Sequence, residues 1–228
     1  AICKVRYEKS GRFMKVRFEI TNMCQLRCPS CTEGRRGFAH PKKFEYIDVA
    51  TYETIITKLA DYDDKLEIFL FESNEPCLHP NLDEILDVMD RYGIPCIISS
   101  NLNVRQSWKH ILSHSCLRRF IISTSGYNKD IYERGHRGGN VDLLLENISE
   151  IASINKEERC PIWIRFHQYN DNIEDARIYE KLCDTYGFTF NPVVGYLSVS
   201  PSELTALVNN DASASLLNRS GSSSAFKI

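Results

Sequence analysis

The sequence predicts an α/β fold, a partial (β/α)6 barrel of the TIM type with mostly parallel strands. Three observations predict it. Stretches that alternate apolar and polar residues take turns with stretches whose apolar residues recur at helical spacing. Helix start and stop residues, such as Asp48, Asn140, Gly93 and Gly187, punctuate the rhythm. The rhythm stops near Val194 after six units, whereas a closed eight-unit barrel takes about 250 residues and this chain has 228. A doubly wound sheet shares the same rhythm, so both arrangements remain open here.

Each element follows from its residues. Residues 1–15 read as an extension with a hairpin, "YEKSGRF" forming its turn. "KVRFEIT" (15–21) alternates and is the first strand of a core spanning 16–195. A cysteine-rich loop and a basic, glycine-containing stretch follow. In "DVATYETIITKLADY", Tyr52, Ile55, Ile56 and Leu59 share a helical face, and Asp48 caps it. "LEIFLF" (66–71) is the second strand, and "NLDEILDVMDRYG" a helix with early acids and a glycine stop. "PCIISS" is the third strand, "RQSWKHILSH" the third helix, and "RRFIISTS" the fourth strand. "NKDIYERG" and "NVDLLLENISEIASI" are helical, the second capped by Asn140. "PIWIRFHQ", "IEDARIYEKLCDTYG" and "FTFNPVV" complete the alternation as strand, helix and strand. Residues 196–228 read as one short helix and a Ser-rich tail of disordered composition.

Composition narrows the function classes. The net charge of -2 provides no global field for nucleic acid or an acidic membrane. The apolar runs are strand-length, far short of a membrane span. The N-terminus lacks the charged-then-apolar pattern of a secretory signal. Nine cysteines, an odd number, fit a reducing cytoplasm better than a disulfide framework. Cys77, Cys96, Cys116, Cys160 and Cys183 fall in apolar stretches and are expected in the core. The triplets at Asn147 and Asn218 match a glycosylation pattern that is common by chance, with no other sign of secretion.

The chemistry concentrates in "TNMCQLRCPSC". Cys24, Cys28 and Cys31 lie in one loop after the first strand, where barrels and parallel sheets place their active sites. Thiolates are soft donors, suited to zinc or iron–sulfur. Structural zinc wants four closed ligands, and the nearest further donor is His40. A [4Fe–4S] cluster on three cysteines leaves one iron without a protein ligand. Both centres are compatible with the spacing.

The segment "CQLRCPSC" resembles the signature of radical S-adenosylmethionine (radical SAM) enzymes. The resemblance extends over roughly 16–194 and implies several things. Cys24, Cys28 and Cys31 would hold a [4Fe–4S] cluster whose open iron chelates SAM. Reductive cleavage would give a 5'-deoxyadenosyl radical that abstracts hydrogen from a substrate, the electron coming from an external donor such as flavodoxin or ferredoxin. Ser73, Asn74, Glu75 and Pro76 stand in the places of the family's "GGEP" element, which receives the SAM amino group. Ser100 and Asn101 match its "TNG" element, with Leu102 in place of glycine, and would face the ribose. Ser123 would reach the ribose or methionine end, and Arg165 the SAM carboxylate. Ser30 replaces an aromatic residue that contacts adenine in many relatives. The run "GHRGGN" is only superficially like a phosphate loop and reads as a bend.

The pattern is similar to the core of enzymes that mature peptides or build cofactors, so the implied substrate is a peptide, a protein or a small molecule. A basic loop with Arg35, Arg36, Lys42 and Lys43 adds an anionic candidate. Two other classes remain at this stage. One is a zinc-binding structural or regulatory protein. The other is a degenerate radical SAM fold used for binding, suggested by the missing glycines at Ser73, Asn74 and Leu102.

Overall fold

A computed structural model describes residues 5–10, 13–31, 34, 43–62, 65–156 and 160–195. Seven strands form one sheet in chain order: β1 (Val5–Ser10), β2 (Phe13–Phe18), β3 (Leu66–Phe69), β4 (Cys96–Ser100), β5 (Leu117–Thr124), β6 (Ile162–Gln168) and β7 (Thr189–Val194). β1 and β2 form an antiparallel hairpin, but Tyr7, Glu8, Lys9, Ser10 and Phe13 of the expected turn are paired strand residues, because the alternation runs on through them; β2 to β7 are six parallel strands. The helices are α1 (Val49–Tyr62), α2 (Leu82–Tyr92), α3 (Trp108–Ile111), α4 (Lys129–Gly135), α5 (Val141–Ile154) and α6 (Ile173–Tyr186). Each parallel strand pairs with the next in sequence, so the winding never reverses. A doubly wound sheet reverses its order at a switch point. The path is therefore that of a barrel, left open because β7 does not return to the first strands.

Strand alternation divides the sheet into two faces. One parity, including Phe18, Ile68, Ile98, Ile122, Ile164 and Phe166, is fully buried. It joins Tyr52, Ile56, Ile85, Met89, Leu144, Ile148 and Tyr179 from the helices in a single core. Each such side chain contributes about 1.5–3 kcal/mol of burial free energy. The other parity, including Arg17, Phe69, Arg119, Trp163, Arg165 and His167, is half-buried and faces the concave side.

The caps sit where the sequence puts them. Asp48 Oδ1 accepts from Thr51 N at 2.9 Å. Asn140 Oδ1 accepts from Asp142 N at 2.8 Å and Leu143 N at 3.1 Å. Gly93 and Gly187 end their helices with φ of 62° and 69°, where a side chain would be strained. Two elements are shorter than expected. β3 ends at Phe69, because the chain then bends to bring Ser73 N onto Glu19 Oε1 at 2.8 Å. The third helix shrinks to one turn because its polar lead is used elsewhere. Gln106 Nε2 donates to Cys77 O at 2.7 Å, and Arg105 reaches Glu146 at 3.2 Å.

Cys77, Cys96, Cys116, Cys160 and Cys183 are buried free thiols, as expected. Asn147 is also buried and fully engaged, so its triplet is no glycosylation acceptor. Asn218, Arg35, Arg36, His40, Lys42 and residues 196–228 lie outside the described residues. Among the described residues no helix is long and apolar enough to cross a membrane.

Candidate active site

The cysteine loop leaves the C-terminal end of β2 and is tied down on all sides. Glu75 N donates to Met23 O at 2.9 Å, and Arg27 N to Arg137 O at 2.8 Å. Gln25 Nε2 donates to Asn101 Oδ1 and to Asn103 O, each at 2.9 Å. Gly34 passes so close that an added Cβ would lie 2.8 Å from Cys28 O and 2.9 Å from Cys28 N. A side chain there would push the loop out of place.

Cys24, Cys28 and Cys31 are each partly exposed on this loop. Burial, the Glu75 charge and the two neighbouring cysteines raise the Cys24 thiol pKa, against a lowering backbone hydrogen bond. Burial and then Cys31 push the Cys28 thiol up to about 12. Three mutually repelling thiols beside a carboxylate become thiolates when a cationic centre compensates them. The three sulfurs are not all within 4.8 Å of one another; among the described residues the group that meets that spacing is Asp87, Asp90 and His114. A tetrahedral zinc with bonds of about 2.3 Å needs sulfurs closer than that. Three thiols on one loop fit a cluster with one open iron, whereas structural zinc takes four protein ligands. In the acidic group, His114 is already bonded to Asp90 at 2.7 Å and Asp83 at 3.0 Å.

The residues singled out from the sequence converge here, with distinct tasks. Glu75 is a clamp. Its Oε1 accepts from Cys77 N at 3.1 Å and its Oε2 from Asn101 N at 2.8 Å. Burial raises its pKa, and those hydrogen bonds oppose the rise. The carbonyls of Glu75 and Pro76 accept from Leu78 N and His79 N inside a short 3-10 turn. Ser73 and Asn74, both half-buried, are the part of this element that lies toward solvent. Ser100 is turned into the fold. Its Oγ accepts from Leu102 N at 3.0 Å and bonds the Glu75 carboxyl. Asn101 Nδ2 stands 3.7 Å from Cys24 Sγ. Leu102 has φ 53°, the left-handed conformation that a glycine takes freely.

Ser123 and Arg165 are register partners on β5 and β6. Ser123 Oγ lies 3.1 Å from His167 Nε2. Burial, then the Arg165 charge, lowers the His167 pKa to about 4, so its imidazole is neutral at pH 7. Arg165 is half-buried on the concave face, with its Nε buried and unbonded.

Several further residues complete the arrangement. Gln25 and Asn103 lock the cysteine loop to the end of β4. Glu19 fixes the Ser73 turn. Tyr132 stacks on His136 at 5.0 Å and accepts from Asn103 Nδ2 at 2.5 Å. The "GHRGGN" bend supplies Arg137 O to the loop. Gln25, lying between Cys24 and Cys28, carried a local signal.

The family model described as Radical SAM superfamily matches residues 18–177, well over half of the chain. The chain belongs to the radical SAM superfamily. That family is one of enzymes that use SAM and a [4Fe–4S] cluster. A GTP 3',8-cyclase from Alkaliphilus oremlandii is 28% identical over 171 residues, covering 73% of this chain and 52% of that protein. A translation initiation factor 2 subunit gamma from Methanothermobacter thermautotrophicus is 21% identical over 160 residues, covering 63% of this chain and 39% of that protein. SuiB from Streptococcus suis, solved with S-adenosylmethionine, superposes with a TM-score of 0.63 at 13% identity, over 84% of this chain and 47% of that one. This radical SAM chain thus spans about half or less of the length of each relative.

Proposed function

We propose that Cys24, Cys28 and Cys31 hold a [4Fe–4S] cluster and that the surrounding strand ends hold SAM. When bound, cluster and SAM supply a one-electron cleavage that yields a 5'-deoxyadenosyl radical. The observation that carries this reading is the convergence of the turns after β3 and β4, and of the bend after α4, on one three-cysteine loop. Ser73 and Asn74 present backbone carbonyls to the SAM amino group, Glu75 keeping that turn fixed. Asn101 and Ser123 supply polar groups to the ribose or methionine end. Ser100 and Pro76 act behind them by holding the turn. Arg165 pairs its guanidinium with the SAM carboxylate.

The core domain is residues 16–195, with residues 1–15 a hairpin extension. A substrate enters through the open side of the barrel. A peptide or protein is the favoured class; the related SuiB has been solved with its precursor peptide SuiA. An external donor of the flavodoxin or ferredoxin type supplies the electron. The eight described cysteines are all free thiols, which supports work in a reducing cytoplasm.

Anaerobic reconstitution tests the reading. The protein should bind about four irons, bleach with dithionite and release 5'-deoxyadenosine from SAM. Cys28→Ala should lose iron and cleavage together. Full iron content in that variant, or a colourless wild type carrying one zinc, would overturn the assignment.

A further inference from the structure

The concave face holds more positive charge than one SAM carboxylate answers. Arg17 on β2, Phe69 on β3, Ile97 on β4 and Arg119 on β5 stand on one rung, each the register partner of the next. The Arg17 guanidinium lies 5.3 Å from the centre of the Phe69 ring. That of Arg119 lies 3.7 Å from the centre of the Trp163 ring. Arg165 sits on the same side of the sheet, and its pKa is lowered by burial and then by the charges of Arg119 and Arg17. The three cations therefore share one electrostatic neighbourhood. Arg119 Nε and Arg165 Nε are buried without hydrogen bonds, and neither guanidinium meets a carboxylate among the described residues. Glu19 accepts from Ser73 N, and Glu67 lies 4.0 Å from Arg118.

Two guanidinium groups held near one another without a carboxylate partner, as Arg119 and Arg165 are, are costly unless a ligand supplies the counter-ion. Aromatic faces hold guanidinium planes in fixed orientation, which suits bidentate contact with an oxyanion. If Arg165 takes the SAM carboxylate, as proposed above, Arg119 remains. We propose that Arg119, held on Trp163, is the receptor for an oxyanion of the substrate, a phosphate or a carboxylate. This places the anionic end of the substrate in the barrel lumen, on the concave side of the sheet.

Equilibrium dialysis tests it on the cluster-loaded, SAM-saturated protein. Radiolabelled pyrophosphate and malonate are the two probes, so the arms separate phosphate from carboxylate. One of them should bind saturably, and Arg119→Gln should weaken that binding at least tenfold. Arg119→Lys, which keeps the charge but not the fork, should fall between. Arg118→Gln removes an exposed charge of the same strand and should bind like the wild type. Near-ultraviolet circular dichroism checks that each variant is folded. Equal binding by wild type and Arg119→Gln, equal losses in Arg118→Gln and Arg119→Gln, or no binding of either probe would overturn the proposal. Dialysis needs no turnover. A failure to release 5'-deoxyadenosine would therefore count against the cofactor reading alone, and a failure to bind anion against this site alone.

Discussion

Leu102 shows how one residue is settled by two opposing terms. Its left-handed backbone costs about 1–2 kcal/mol, yet its side chain is fully buried. Truncating a buried leucine costs about 2–5 kcal/mol. Leu102→Gly should therefore lower stability by about 1–3 kcal/mol despite relieving the backbone, as urea denaturation would measure. A gain in stability would show that strain dominates. His167 gives a prediction in pH. Its pKa in the folded protein is about 4, below the ordinary 6.5, so the folded state binds fewer protons between those values. Stability should fall as pH drops from 6.5 through about 4. His167→Asn should lose less stability over that window than the parent, in urea titrations run at several pH values. A second check is Arg165→Met. Removing the guanidinium charge should raise the His167 titration point seen by NMR.

At the scale of elements, α3 depends on a single amide. Trp108 Nε1 donates to Asn147 Oδ1 at 2.9 Å, while Asn147 Nδ2 donates to Leu102 O at 2.8 Å and Val104 O at 3.0 Å. One side chain of α5 thus joins α3 to the turn after β4, which also carries Asn101. Asn147→Ala strands a buried indole N–H and two carbonyls, and should cost about 2–4 kcal/mol. It should also loosen the site, seen as faster amide exchange at Asn101 and Asn103. Unchanged exchange would mean that the turn is held from its own strand. The elements were largely legible from sequence, because periodicity and caps are local. Asp48, Asn140, Gly93 and Gly187 act within their own turns. The third helix was overestimated because Arg105 and Gln106 are satisfied by distant partners, which no local pattern reveals.

At the scale of the whole molecule, scaffold and site are separable. The core runs through the helix-facing side of the sheet and includes none of Cys24, Cys28 or Cys31. Removing the proposed cluster anaerobically should leave far-ultraviolet circular dichroism unchanged, while amide protection falls in the cysteine loop. A global loss of helix on cluster removal would make the cluster part of the fold's stability.

The sequence by itself determined the alternation of elements, their caps, the buried cysteines and the three-thiol loop, because each depends on neighbours in the chain. It also carried the resemblance that the family match later supported. Tertiary structure alone decided that the sheet winds one way, that Glu75 and Ser100 clamp turns, and that Gln25, Asn103 and Arg137 hold the loop. It alone gathered Arg17, Arg119 and Arg165 onto one concave face. Apart from Ser100 to Leu102, those contacts join residues tens of positions apart. Spacing along one strand cannot specify them until the sheet curves.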